Sequence, residues 1–173
     1  MAITIEATAG HASANSYATL AEAEAYMLGR LNASLWTGAD DTKNRALVEA
    51  QRELDGLTWI GKRASSTQAL SWPRDWAVNP DDPNADYYAS TVVPQRLKDA
   101  QCELAFQFLK AGTTDVAAVD ATDGIIEKTI DVLTTRYAAP HERPTGLARY
   151  PRVLRFIMPL LEGSTITQRL VKG

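Results

Sequence analysis

Apolar residues recur at three- and four-residue steps in four stretches of this chain, each bracketed by residues that start or stop helices. In the first, Leu20, Ala23, Met27 and Leu31 form the stripe, with Glu22, Glu24 and Arg30 on the wet side. Thr19 and Glu22 have capping-box spacing, so a helix is expected from Leu20 to about Leu31, its last turn weakened by Gly29. Leu35 and Trp36 then interrupt a polar connection. Asp40 or Asp41 opens a second helix through about Asp55, which buries Leu47, Ala50, Leu54 and Leu57, and Gly56 suits a left-handed end. Its opposite face carries Lys43, Arg45, Glu49, Arg52 and Glu53, with Arg45 and Glu49 in the weaker i, i+4 orientation; this face suits solvent or a neighbouring subunit better than an active site. Pro94 starts a third helix that reads through Lys110 and stops at Gly112. Its stripe of Leu97, Gln101, Leu104, Ala105, Phe108 and Leu109, edged by Ala100 and Cys102, is the most apolar and predicts the centre of the core. The fourth helix spans Pro151 to Leu161, with Val153, Leu154, Ile157, Leu160 and Leu161 on one side and Arg152 and Arg155 on the other. Pro159 kinks it or ends its regular hydrogen bonding, and Gly163 releases the chain.

Between these stretches the pattern changes. Ile3 and Ile5 alternate with polar residues and suit a short edge strand. From Trp59 to Pro94 regularity fails: Trp59, Trp72 and Trp76 stand among Pro73, Pro80 and Pro83 and the acids Asp75, Asp81, Asp82 and Asp86. A loop of this length is functional or pinned by its aromatics. We read it as pinned by core tryptophans, with a polar excursion at 77–90. A base-stacking platform would interleave its aromatics with cations, and residues 64–93 hold only Arg74 against four aspartates. Ile125 to Tyr137 is dense in β-branched residues and reads as one strand or arm. The last residues, Ser164 to Gly173, suit strand addition to another chain or a frayed tail. The expected fold is mainly α: a small bundle of about four helices with a long Trp/Pro-rich loop, a strand or arm near 125–137, and an extended C-terminal tail. One domain, 1–162, with a docking tail, 163–173, accounts for the chain.

A length of 173 residues leaves little room for a second full domain, and 45% hydrophobic with 23% charged residues is a globular balance, so a packed core is expected. No apolar run reaches the ~20 residues of a membrane span. The start, Met-Ala-Ile-Thr-Ile-Glu, lacks the marks of a signal peptide, so a cytoplasmic setting is expected. Charge is uneven. Up to Asp123 there are 10 basic and 17 acidic residues, and from Gly124 onward 8 basic and 4 acidic. The basic segment is either a tail that docks on an acidic partner or near phosphates, or a solvated surface.

Candidate chemistry is sparse. Cys102 alone makes no disulfide, and with only His11 and His141 beside it there is no soft-ligand cluster for zinc. Cys102 lacks a placed base and reads as an inert core or boundary thiol. The chain has no Walker-type loop, no glycine fingerprint and no Gly-x-Ser-x-Gly elbow. The pairs Asp40-Asp41 and Asp81-Asp82 suit capping and solubility better than metal binding or acid–base work. No catalysis, cofactor or metal is expected.

The order of motifs is itself informative. Ser16-Tyr17-Ala-Thr19-Leu20-Ala-Glu22-Ala-Glu24-Ala-Tyr26 is followed by Trp36, then Lys43 with Ala46-Leu47 and Ala50, then Leu57-Thr-Trp59-Ile-Gly61. Gln68-Ala-Leu70-Ser-Trp72-Pro73-Arg74 comes next, then Val93-Pro94 with Ala100 and Glu103-Leu104-Ala105. This series resembles a family of tailed-phage and prophage proteins that carries the name DnaT-like single-stranded DNA-binding protein and looks like head-tail connector (adaptor) proteins. Gln-x-Leu-x-Trp-Pro-Arg is its most specific piece, and Tyr150-Pro151 with Pro159-Leu160-Leu161 is similar to the family's last helix. The stretches 77–90 and 113–124 carry no motif.

The resemblance implies a non-catalytic, homo-oligomeric ring, a dodecamer, that docks under the portal protein in the virion neck. Such a ring hands the DNA channel to a downstream tail or neck protein, and genomic DNA passes without specific binding. Trp59, Gly61, Trp72, Pro73 and Arg74 match the core motif, with the implied role of locking the loop against helices two and three. The end of the chain from Tyr150 corresponds to the part that reaches the portal or a neighbouring subunit. Arg152, Arg155, Ile166, Arg169, Leu170 and Lys172 are the expected contacts there. The acidic body suits a channel through which DNA must slide. The alternative is a single-stranded DNA-binding or primosome-like accessory module, which calls for cations among the tryptophans.

Overall fold

In the computed structural model the described residues are 2–112, 127–130, 133–136 and 146–163. Four helices carry the fold: α1 (Leu20–Leu28), α2 (Asp40–Asp55), α3 (Gln95–Ala111) and α4 (Pro151–Ile157). Among the described residues two short hairpins lie between them, one in the connection from α2 to α3 and one in that from α3 to α4. In one, β1 (Lys62–Arg63) pairs antiparallel with β2 (Arg74–Asp75), with Lys62 opposite Asp75. In the other, β3 (Glu127–Ile130) pairs with β4 (Leu133–Arg136), with Glu127 opposite Arg136. The fold is a small, mainly α bundle, as the periodicity predicts.

α3 is the central element and packs against α2, α4 and α1. Its stripe is buried as expected apart from the half-buried Leu109, and burial extends to Cys102, Glu103 and Phe106, so the middle of α3 is covered on nearly all sides. Gly112 ends it at φ 70, the left-handed position that glycine takes at little cost. α1 begins with both bonds of the capping box: Thr19 Oγ1 accepts from Glu22 N–H (3.2 Å) and Glu22 Oε2 accepts from Thr19 N–H (2.7 Å).

Several expectations fail for identifiable reasons. α1 stops at Leu28, where the Gly29 N–H turns to the Tyr26 carbonyl, so Leu31 leaves the stripe and is fully exposed. Asp40 and Asp41 do not cap α2; Ala39 takes that position, and both acids sit in the first turn at the positive end of the helix dipole. Gly56 is right-handed (φ −71) rather than left-handed, because the chain continues in a tight turn, with Leu57 N–H on the Leu54 carbonyl. Arg45 pairs backward with Asp41 (3.0 Å), the better i, i+4 orientation, and Glu49 is taken by Arg52. Lys43 is not on a free face: it reaches Glu24 of α1 at 3.0 Å.

Ile3 and Ile5 form no strand. Side chains of α2 hold this segment instead, Asp41 Oδ1 accepting the Ile3 N–H (2.7 Å) and Asn44 Nδ2 donating to the Ile3 carbonyl (3.1 Å). The expected single strand at Ile125 to Tyr137 is instead the antiparallel pair β3 and β4, with Ile130 opposite Leu133. Asp131, a strand-poor residue within the β-branched run, is the sequence signal for that division. α4 ends at Ile157, and Met158–Leu160 continues as a 3-10 turn, the interruption that Pro159 predicts. Among the described residues no helix is long and apolar enough to cross a membrane.

Candidate functional site

The matched motif folds into one compact knot. Gly61 stands at φ 74 with the β2 backbone directly against it; a Cβ there would lie 2.3 Å from the Asp75 carbonyl oxygen, so only glycine fits. That close approach sets Arg74 beside the carbonyls of the 59–61 segment. Its guanidinium donates to Ile60 O (2.7 Å), Gly61 O (2.8 Å), Ser71 O (3.2 Å) and Trp59 O (3.3 Å). Burial lowers its proton affinity from the usual arginine value, but a guanidinium keeps its charge in a protein. Gln68 is buried and closes the loop from inside, donating to Leu70 O (2.7 Å) and Pro73 O (3.0 Å) and accepting from Ser65 N–H (2.9 Å). Trp72 and Pro73 are joined by a cis peptide bond.

The indoles of Trp59 and Trp72 are buried edge to face, with centroids 6.1 Å apart, and Tyr88 meets Trp72 at 6.0 Å. The knot is tied to the end of α2 through Asp55, whose Oδ1 accepts from Ser71 N–H (2.7 Å) and from the Tyr17 hydroxyl. Burial first, and then the Asp55 charge, push the Tyr17 phenol well above its ordinary range. Trp59 also forms a bridge to Leu161, and Ile60 N–H donates to Leu160 O (3.0 Å), so the loop is joined to the segment after α4.

Trp76 corrects the core-tryptophan expectation. It is 66% exposed at φ 60, touching Tyr87 edge to face at 5.6 Å, because the tight β2 turn over Gly61 leaves it on the outside. The 77–90 stretch is less free than a polar excursion suggests. Ala77 is buried, Tyr88 O–H donates to Asp81 (2.8 Å), and Arg96 of α3 holds both Asp81 oxygens (2.6 Å). The Arg96 guanidinium and the Tyr88 hydroxyl keep the Asp81 carboxyl below its usual range. A cavity of about 490 Å³ opens in this stretch, lined by Val78, Pro80, Asp82, Pro83, Asp86 and Tyr87 among others.

Of the expected contact residues, Arg152 and Arg155 are exposed on α4, while Ile166, Arg169, Leu170 and Lys172 lie outside the described residues. Arg152 Nε stands 4.0 Å from Glu103 of α3. Glu103 is only 2% exposed and also receives Arg30 (3.0 Å), the Tyr26 hydroxyl (3.2 Å) and Gln107 (3.0 Å). Sequence reasoning missed this cluster. The available signal was a carboxylate between Cys102 and Leu104 in the most apolar helix, a position that a charge occupies only when it is paired.

Among the described residues no group of three or more His, Cys, Asp or Glu is arranged to hold a metal ion. Cys102 is buried, and burial pushes its thiol up to about 12. His11 Nδ1 contacts Ser13 Oγ at 2.9 Å on an exposed loop. In the acidic body Arg30, Lys43, Arg45, Arg52, Arg96 and Lys98 each pair with a carboxylate. Arg63 and Arg74 are turned onto backbone carbonyls.

A family model described as "Putative DnaT-like ssDNA binding protein" matches residues 1–173. No curated protein and no solved structure matches the chain.

Proposed function

This chain belongs to the DnaT-like ssDNA binding protein family, and from that premise we propose that it is a structural subunit of a phage head-to-tail connector ring. Such a ring sits under the portal, continues the DNA channel toward the tail, and performs no catalysis. The observation that carries this reading is the internal engagement of the body's cations. Six pair with carboxylates and two with carbonyls, so a phosphate backbone meets few available positive groups there. A channel wall needs that property, since DNA must slide along it. Two further features support the reading. Trp59 and Trp72 are buried against each other and against Tyr88 rather than offered to bases. Leu28 and Leu31, 84% and fully exposed, with half-exposed Leu35, supply apolar surface of the kind that subunit contacts cover.

The family's description speaks more directly for a second reading, a single-stranded DNA-binding module. The exposed Trp76 and Tyr87 are the aromatic surface on which that module would stack a base. One experiment separates the two. Purified protein is incubated with portal particles for imaging and, separately, with labelled single-stranded oligonucleotide at physiological salt for anisotropy. Added rings without oligonucleotide binding are the expected result. Salt-sensitive oligonucleotide binding without portal association overturns the connector reading in favour of the second.

A further inference from the structure

The cavity at 78–87 has acidic residues that neither reading uses. It is lined by the apolar Val78, Pro80, Pro83 and Tyr87 and by the exposed acids Asp82 and Asp86. The exposed Trp76 adjoins this lining through its edge-to-face contact with Tyr87. Carboxylates beside exposed aromatic rings repel a phosphate backbone and attract an arginine or lysine, whose charge interacts with ring faces as its stem packs on apolar surface. Asp81 is already held by Arg96, so the charge available to a ligand is that of Asp82 and Asp86.

The chain itself contains a segment of the complementary kind. Residues 164–173 carry Arg169 and Lys172, no acidic residue, and the apolar Ile166, Leu170 and Val171. The described chain leaves the body at Gly163 in a defined direction. Trp59 bridges Leu161 antiparallel, and Glu162 N–H donates to the Thr58 carbonyl (3.0 Å), so the chain runs from Leu161 toward Leu57 and the end of α2. The aromatic cleft lies the other way, beyond Gly61, whose neighbours across the turn are Asp75, Trp76 and Ala77. At Gly163 the described chain is thus headed away from the cleft of its own copy.

From this geometry we infer that the cleft formed by Trp76, Tyr87, Asp82 and Asp86 is the receptor for residues 164–173 of a second copy of this chain, with Arg169 or Lys172 seated against the aromatic pair. The inference rests on the self-association in the connector reading and names the surfaces that would make it.

The test uses a labelled peptide of residues 164–173 titrated into the full-length protein, followed by anisotropy. Saturable binding that weakens with salt is expected, with at least a tenfold loss for the peptide carrying Arg169→Glu and Lys172→Glu. A similar loss is expected for full-length protein carrying Trp76→Ala, or Asp82→Asn with Asp86→Asn, with unchanged circular dichroism. Absence of binding, equal binding of the charge-reversed or a scrambled peptide, or indifference to the cleft variants would overturn the inference. Portal incubation of the wild-type protein reads the connector proposal separately: rings that form although the peptide does not bind overturn the cleft assignment alone.

Discussion

The Gln101 side chain, in the middle of α3, accepts the backbone N–H of Tyr17 at 2.9 Å across 84 positions of sequence. The same oxygen accepts Ala18 N–H (3.0 Å), while its amide donates to Ser16 Oγ (2.7 Å) and to the Leu47 carbonyl of α2 (2.8 Å). One fully buried amide therefore joins the segment before α1, α2 and α3.

Replacing that amide leaves several buried polar groups without partners. Each such group costs about 1–3 kcal/mol, so Gln101→Leu is expected to lower stability by roughly 3–5 kcal/mol. Urea unfolding checks this, and a loss below about 1 kcal/mol would show that the amide is not a cross-element tie.

The tryptophans of the long loop should separate sharply. Trp72→Ala removes a buried indole and is expected to cost roughly 3–5 kcal/mol, whereas Trp76→Ala removes an exposed one and should stay within about 0.5 kcal/mol. Thermal or denaturant unfolding of the two variants makes the comparison. A neutral Trp72→Ala would return that indole to the list of stacking candidates.

Two left-handed glycines differ in surroundings, which separates backbone strain from collision. Gly112 at φ 70 faces open space, so Gly112→Ala carries the strain alone, about 1 kcal/mol. Gly61→Ala adds a methyl 2.3 Å from the Asp75 oxygen and 2.8 Å from the Ala77 nitrogen, and something in the hairpin must move. Its loss in melting temperature should exceed that of Gly112→Ala severalfold.

Cys102 predicts an alkaline weakness. Its thiol is pushed up to about 12 in the folded chain by burial and by the nearby Asp99 and Glu22 charges. An unfolded thiol ionises near ~8.5. Between those values the folded state holds the extra proton, so stability present below pH ~8.5 is lost as pH rises, at up to about 1.4 kcal/mol per pH unit. Cys102→Ala should flatten the fall measured from pH 8.5 to 10. Alkylation of the native protein at pH 8 should be slow until denaturant opens the core.

The features legible in the amino-acid order are those that neighbours along the chain decide. Thr19 and Glu22 cap α1 because the capping box closes within one turn, Gly112 stops α3 because a glycine takes φ 70 at little cost, and Pro159 interrupts α4 by lacking an N–H. The stripes of α2 and α3 were legible for the same reason, since a helical period puts apolar residues on one face whatever they later touch. Tertiary structure alone decided which polar groups meet. Arg45 had two acids four residues away and took Asp41, Ile3 found α2 side chains rather than a strand, and Glu103 met Arg30 and Arg152 from separate elements. It also decided that Trp59 and Trp72 go inside while Trp76 stays out, because the backbone contact at Gly61 sets which way the hairpin turns. Local signals act over one turn of chain, whereas burial and pairing depend on segments brought together from tens of residues apart, and no pattern within a single segment records which partner arrives.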